Sequence, residues 1–268
     1  MPSAPVCARA ALHFWEEPCL SGDTGAGTVF FSGCTLGCVF CQNRSISREN
    51  FGKTLTPDQL YAVFQRLAGQ GAACIELVSP TQFTHVLAKV LERPVPGGLP
   101  VVWNSGGYER ADVLKALEDK ADVYLPDLKY VAPAIAAKYS GAEDYPEAAQ
   151  GAIWEMYRQR GPVRLEGGML KSGVLIRHLI LPGQVMEAKR VMDWIAETFP
   201  PGAVLFSLMA QYTPVGDLED FPELRRSLRA SELRAAKSYM ESLGLPGYVQ
   251  ELEAAGEGFI PPFDLTGL

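Results

Sequence analysis

A chain of 268 residues with 47% hydrophobic content is long enough to bury a full core, in one large domain or two small ones. Its formal charge of −7 at pH 7 and pI near 5.1 argue against nucleic acid as a partner, because phosphate contacts need a basic surface. No apolar run reaches the length of a membrane span, and the longest, residues 174–181, is broken by Arg177 and His178, so no membrane partner is expected either.

The opening stretch, MPSAPVCARAALHFWEEP, has no charged region followed by an apolar run and a cleavage site; no signal peptide is expected. Cys34, Cys38 and Cys41 crowd together while Cys7, Cys19 and Cys74 are scattered, which is not a disulfide framework. A reducing cytoplasm fits both observations.

The first β-rich run is 28–32 (TVFFS), and a cysteine-bearing loop follows it. Thr56 and Pro57 open a helix as N-cap and first residue, with Leu60, Val63, Phe64 and Leu67 at helical spacing. The second strand is 74–78, followed by a helix at 82–91 and a loop at 94–100, PVPGGLP. The third strand is 101–104, then a helix at 110–119 and a fourth strand at 122–125. Helices at 132–139 and 145–159 come next, and a glycine-containing loop, 165–173, leads into the fifth strand, 174–181. A helix at 186–199, a sixth strand at 203–209 and a last helix at 231–243, stopped by Gly244, complete the series. Residues 217–226 are charged and proline-interrupted and read as a loop. Phe259, Ile260 and Phe263 are expected to pack the tail onto the body.

Six β-then-α units with nearly continuous apolar strands predict an α/β protein whose parallel strands are covered on both faces. An open doubly wound sheet and a closed or partial barrel both satisfy the pattern. In each, ligands gather at the C-terminal ends of the strands.

The chemistry concentrates in Phe30-Phe31-Ser32-Gly33-Cys34-Thr35-Leu36-Gly37-Cys38-Val39-Phe40-Cys41-Gln42-Asn43. Three thiolates at these spacings can converge from one loop on one metal centre, and such soft ligands suit iron–sulfur clusters and zinc. Three ligands leave one iron of a cubane without a protein ligand, and an open position is where substrate chemistry happens. Gly33 and Gly37 let the backbone fold tightly. A structural zinc site would need a fourth ligand from His13, Cys19 or Cys74, and closed sites come as paired ligand motifs where this chain has one.

With its aromatic before the last cysteine, this stretch resembles the signature of the radical S-adenosylmethionine (SAM) superfamily. FFSGCTLGCVFCQN is closely similar to the pyruvate formate-lyase activating enzyme group, and LHFWEEP at 12–18 with Gly25 and Gly27 looks most like an uncharacterised branch of it. The resemblance runs over about residues 10–212. It implies a partial (β/α)6 TIM-like barrel over 28–212, an N-terminal extension over 1–27, and a C-terminal helix and tail over 213–268 packed on the barrel. It further implies one 4Fe–4S cluster on Cys34, Cys38 and Cys41, with SAM chelating the open iron. Longer members of the branch carry extra cysteines upstream, which this chain lacks, so a single cluster is expected. Reductive cleavage of SAM would give a 5′-deoxyadenosyl radical that abstracts hydrogen, in a site closed to solvent. Implied partners are an electron donor such as flavodoxin or ferredoxin and a glycyl-radical enzyme to be activated. Alternatives are a radical SAM enzyme acting on a small molecule or another protein, and a non-enzymatic metal-bound scaffold.

The resemblance also assigns residues. Phe40 matches the aromatic that lies against adenine. Asp127 and Lys129 match an Asp-x-Lys pair that orders the SAM end of the site, and their spacing puts both on one side of an extended chain. Arg177 sits where the family has an arginine facing the cavity, and completes the expected catalytic set with Asp127 and Lys129. Its neighbour His178 must face the other way, as a hydrogen-bonded core histidine. Asn104 and Ser105, with Gly106, match the family's polar turn imperfectly, and Trp103 stands in place of a cation-binding aspartate. The usual Gly-Gly-Glu turn is replaced by Val78-Ser79-Pro80-Thr81-Gln82. There the Ser79 and Thr81 hydroxyls can take over contacts to SAM, with Thr81 equally placed to cap the next helix. Gln211 and Tyr212 end the sixth strand and are expected to line the cavity. Asn43 is expected to fix the cysteine loop through its amide. His13, Trp15, Glu16 and Glu17 are dense for a loop and cover either the barrel bottom or the cluster. Cys7, Cys19 and Cys74 read as packing residues or exposed thiols.

Overall fold

The computed structural model describes residues 4–250 and 261–268; Phe259 and Ile260 lie outside the described residues. Among the described residues, one sheet holds all ten strands. In chain order they are β1 (Val6–His13), β2 (Ala26–Phe31), β3 (Lys53–Thr54), β4 (Ile75–Val78), β5 (Val101–Ser105), β6 (Val123–Pro126), β7 (Arg164–Glu166), β8 (Met169–Leu179), β9 (Leu205–Met209) and β10 (Gly247–Val249).

Strands β2, β4, β5, β6, β8 and β9 are the six expected from the sequence. They neighbour one another in that order, all parallel. Every residue of β2, β5, β6 and β9 is buried, as strands covered on both faces must be. Helices Pro57–Gly69, Thr84–Val90, Tyr145–Arg160 and Val185–Thr198 supply much of the outer cover. The first of these starts at a full capping box: the Gln59 N–H donates to Thr56 Oγ1 at 3.2 Å, and the Thr56 N–H donates to Gln59 Oε1 at 2.8 Å.

The other four strands are additions to the sequence reading. β1 pairs antiparallel with β2, and β3 pairs antiparallel with β1. β7 folds back on β8 as a hairpin, around Gly167 and Gly168 with φ of 57° and 81°, the left-handed backbone that a tight hairpin turn needs. β10 extends the parallel sheet beyond β9, so the segment after residue 213 contributes an edge strand as well as the helix Ala230–Ser242.

Because β1 runs against β2, its last residue, His13, lies opposite Ala26 at the N-terminal end of the barrel. The chain then passes beneath the barrel and meets the far edge. Glu17 Oε1 accepts from Ser207 Oγ of β9 at 2.5 Å and from Gln250 Nε2 at 3.3 Å. Among the described residues no strand ladder joins β10 to β1, so the barrel is partial and this seam is closed by side chains. The outer edge of β1 is covered by the tail: the Ala10 N–H donates to the Thr266 carbonyl at 2.9 Å, the Leu265 N–H to that of Ala8 at 3.0 Å, and Arg9 pairs with Asp264 at 3.0 Å. Covering an edge in this way removes a template for unwanted pairing. Phe263 packs on Phe30, ring centroids 5.5 Å apart. Among the described residues no helix is long and apolar enough to cross a membrane.

Candidate functional site

β2 delivers the chain to the C-terminal rim of the barrel, and residues 32–43 fold there as a loop. Gly33 has φ of 90° and its N–H donates to the Ile46 carbonyl at 2.8 Å. The Val39 N–H donates to the Tyr139 carbonyl at 2.9 Å, pinning the loop to the end of the helix Pro133–Ser140. A Cβ at Gly37 would displace the Arg48 guanidinium and stand 3.2 Å from the Ser140 carbonyl, so glycine lets the loop approach closely here. Asn43 works through its backbone, not its amide as expected: its carbonyl accepts from the Ile46 and Ser47 N–H groups at 3.2 and 2.8 Å. The side-chain tie comes instead from Gln82, which sequence reasoning passed over. Its Nε2 donates to the carbonyls of Ser32 and Gly33, each at 3.0 Å, and of Ser79 at 2.9 Å.

Cys34, Cys38 and Cys41 line one cavity of about 270 Å3. Cys38 Sγ lies 3.0 Å from Ser140 Oγ, Cys41 Sγ lies 3.3 Å from Ser47 Oγ, and the Leu36 N–H donates to Cys34 Sγ at 3.4 Å. Burial pushes the Cys38 thiol up, against the pull of the nearby Lys129 ammonium. Phe40, Ser79, Asn104, Ser105, Asp127, Lys129, Arg177 and Gln211 face the same cavity. The structure thus gathers the expected site residues except Thr81 and Tyr212; Tyr212 is buried off the cavity, with its hydroxyl donating to the Leu224 carbonyl at 2.7 Å.

Thr81 is a correction on both counts. Its hydroxyl neither lines the cavity nor caps the following helix, and donates instead to Glu109 Oε1 at 3.0 Å. Glu109 is only 5% exposed, and a buried carboxylate must be supplied with donors. Trp103 Nε1 gives a second at 2.9 Å, and Ser105 Oγ a third, to Oε2, at 2.6 Å. The indole of Trp103 is therefore committed to a protein carboxyl.

Beyond β6, Asp127 stands between two cations. Lys129 Nζ donates to its Oδ2 at 2.6 Å and Arg177 Nε to its Oδ1 at 3.0 Å. Burial alone would raise the Asp127 carboxyl, but the two cations outweigh it and hold the group below its ordinary value. Burial works to lower Lys129 and Arg177, and the neighbouring carboxylates reverse this, leaving both above their ordinary values. Arg177 Nη2 continues the chain to Asn104 Oδ1 at 2.6 Å, and Asn104 Nδ2 donates to Glu76 Oε1, also at 2.6 Å. His178 turns away, buried, with Nδ1 2.8 Å from the Leu128 carbonyl.

Glu76 was hidden in a strand that reads as apolar. It is fully buried, and burial first, then the negative charge of Glu16, raises its carboxyl well above the ordinary range. An isolated acid inside an apolar run was the available signal, since a buried charge must be paired or serve a ligand. A second, larger cavity of about 690 Å3 opens along the seam between the segment after β1 and β10; it shares Glu16, Gln42, Arg177 and Gln211 with the first. Cys19 and Cys74 are buried in a separate apolar cluster and do not join the loop cysteines. Among the described residues, no three of His, Cys, Asp and Glu stand close enough together to hold a single metal ion.

The family model of the Radical SAM superfamily matches residues 28–195, more than half of the chain. The chain belongs to the radical SAM superfamily. Uncharacterized protein MJ0674 of Methanocaldococcus jannaschii is 27% identical over 245 residues, covering 87% of this chain and 66% of that protein. The chain therefore spans 66% of the length of that relative. Among solved structures, a domain of pyruvate-formate lyase-activating enzyme from Bacteroides vulgatus is similar at 12% identity, with 73% of this chain and 91% of that one covered and a TM-score of 0.42. HydG, a maturase of the FeFe hydrogenase, is similar at 13% identity, with 83% and 55% covered and a TM-score of 0.48.

Membership of the radical SAM superfamily implies a 4Fe–4S cluster and SAM, and the residues present fit the cluster. The three thiols line one cavity and lie close enough to act on one another electrostatically, as the ligands of one cluster must. The N–H and hydroxyl groups beside the sulfurs supply the hydrogen bonds that such ligands need. Of the three candidates for the fourth ligand of a zinc site, Cys19 and Cys74 are buried elsewhere, while His13 lines the same cavity as the three thiols. The fold is the partial (β/α)6 barrel of radical SAM enzymes.

Proposed function

We propose that the protein cleaves SAM reductively at a single cluster held by Cys34, Cys38 and Cys41, and that a substrate in the adjoining cleft loses the hydrogen atom. The observation that carries this reading is the shared cavity. The three thiols, the Phe40 ring and the Asp127–Lys129–Arg177 network all face the same space of about 270 Å3.

When bound, the cluster supplies the one electron that breaks the S–C5′ bond of SAM, giving methionine and a 5′-deoxyadenosyl radical. The chain's own residues bind, orient and exclude water. Phe40, 7% exposed, offers a ring face for adenine. Lys129 is held by Asp127 at 2.6 Å and keeps further N–H donors for a carboxylate. Arg177 is fixed from both sides by Asp127 and Asn104, so it presents charge without having to be ordered first. Ser79 and Gln211 offer polar groups on the opposite walls. A reducing cytoplasm and a small electron-transfer protein, flavodoxin or ferredoxin, suit this chemistry.

The deciding experiment is anaerobic reconstitution, reduction with dithionite, addition of SAM and detection of 5′-deoxyadenosine. Its release, lost on Cys38→Ala together with the cluster, supports the reading; an active Cys38→Ala enzyme would sink it. Lys129→Ala is expected to keep the cluster and weaken SAM binding by about tenfold, the loss of one charge-assisted contact; unchanged affinity would remove Lys129 from the site.

Activation of a glycyl-radical enzyme is the second reading. The side cleft, flanked by Phe14 and Trp15 at 54% and 67% exposure, suits a loop presented by a large partner. A glycyl-radical signal in electron paramagnetic resonance, after mixing with such an enzyme, SAM and reductant, supports it. A silent mixture in which 5′-deoxyadenosine still forms points to a small molecule or a different protein.

A further inference from the structure

Gln82 ties together the ends of two neighbouring strands. Its Nε2 donates to the carbonyls of Ser32 and Gly33, each at 3.0 Å, and to that of Ser79 at 2.9 Å. Ser32 and Gly33 follow β2 and lead directly into Cys34, and Ser79 follows β4. An amide nitrogen has two hydrogens, so three acceptors leave it none to spare. Three carbonyl oxygens around one atom also fix which end of the amide faces them.

Ser79 needs that hold. Its φ is 56°, in the left-handed region that a residue with a Cβ keeps only where its surroundings impose it. Two bonds impose it here. The Ser79 N–H donates to the Asn104 carbonyl at 2.8 Å, and the Ser79 carbonyl accepts from Gln82. With both backbone groups spent inside the protein, Ser79 has its hydroxyl left for the cavity that it lines. Asn104 in turn accepts from Arg177 Nη2 at 2.6 Å. The polar chain Asp127–Arg177–Asn104 and the cysteine loop therefore meet at Ser79, the first through Asn104 and the second through Gln82.

Holding the loop in place would not by itself call for Ser79. The Gly33 N–H is already bonded to the Ile46 carbonyl at 2.8 Å, and the Val39 N–H to that of Tyr139 at 2.9 Å, so the loop is pinned on both sides of Cys34 without Gln82. What Gln82 adds is a fixed separation between Cys34 and Ser79.

We propose that Gln82 is a positioning residue: it sets the spacing between the cysteine loop and the Ser79 hydroxyl, so that SAM contacted by Ser79 is in register with the cluster. This rests on the proposed function, since it takes the cavity to be the SAM site. Such register matters because a misplacement of about 1 Å can cost about a hundredfold in rate.

The test compares Gln82→Leu, which removes the amide at similar size, with Gln82→Glu, which keeps the shape and loses both hydrogens. After anaerobic reconstitution, each is measured for iron and sulfide content, cooperative unfolding in urea, and SAM affinity by calorimetry. Both are expected to hold as much iron as wild type and to lose about tenfold in SAM affinity. The electron paramagnetic resonance signal of the reduced cluster should accordingly respond to SAM only at about tenfold higher concentration. The same titration is made on Ser79→Gly, which removes the hydroxyl and accepts the backbone angle, and on Gln82→Leu combined with Ser79→Gly. Because Gln82 acts through Ser79, the double variant should bind SAM at most about twofold more weakly than Ser79→Gly alone. Unchanged SAM affinity in either Gln82 variant, or losses that add in the double variant, overturns the proposal. So does loss of the cluster or of cooperative unfolding in both Gln82 variants, which would make Gln82 a residue of the fold alone. Should the wild type release no 5′-deoxyadenosine, the proposed function fails, while the SAM titrations still decide the role of Gln82.

Discussion

Asp127 is the residue on which the polar network turns. It is flanked by Lys129 and Arg177 at 2.6 and 3.0 Å, and removing its charge leaves two partly buried cations facing each other. Asp127→Asn is expected to cost about 3 kcal/mol at neutral pH, as broken buried pairs do. The sign of the pH effect follows from the depressed Asp127 carboxyl: its contribution is present above the unfolded value and lost as pH falls through the folded one. The gap in urea midpoint between wild type and Asp127→Asn should therefore close as pH drops below about 4. A gap that persists unchanged in acid would refute this account. Glu76 behaves oppositely, because burial and then Glu16 raise its carboxyl. Its favourable contribution is full below the unfolded value of about 4.3 and is lost as pH rises through the folded one. Glu76→Gln mimics the protonated form, so its stability should overtake that of wild type as pH rises, measured as the difference in urea midpoint from pH 5 upward.

At the scale of elements, the close approach of neighbouring rim loops depends on glycine. Gly107 has φ of 77°, and a Cβ there would collide with the Asp127 carbonyl. Gly107→Ala should cost about 2 kcal/mol or more in urea unfolding and weaken SAM binding in parallel, since Asp127 would be displaced. Loss of stability with full SAM affinity would show that the loop adjusts elsewhere. The parallel strands were legible because their residues are buried on both faces and read as apolar runs. β1 was not, because Arg9 and His13 interrupt it and its partner, β2, lies across a turn-rich stretch of the chain. β3 and β10, of two and three residues, are too short for any periodicity to show. The cysteines, Asp127, Lys129 and Arg177 could be placed by motif and strand position. The roles of Gln82 and Glu109 could not, since each depends on partners brought together by tertiary contacts.

For the whole molecule, most of the barrel core lies away from the cysteine loop, which contributes Leu36 and Phe40 to it. The main apolar cluster runs from β1 through the buried rings of Trp103 and Tyr124 to the helix Ala230–Ser242, and it is complete without any group bound to the loop thiols. The variant with Cys34, Cys38 and Cys41 all changed to alanine is therefore expected to lose the cluster yet keep the far-ultraviolet circular dichroism of wild type and unfold in one cooperative step. Loss of cooperativity would show that the loop props up the barrel.

The seam under the barrel has a mechanical consequence. Everywhere else in the ring, neighbouring strands are laced by ladders of backbone hydrogen bonds, but at this seam Glu17 fastens to Ser207 and Gln250 through side chains. Such a clasp can be unhooked at the cost of one or two hydrogen bonds, each with a net worth of about 1 kcal/mol, without breaking a strand pair. Among the described residues, the seam is thus the part of the wall that can open without loss of a strand pair. It is also the place where the larger cavity meets the outside.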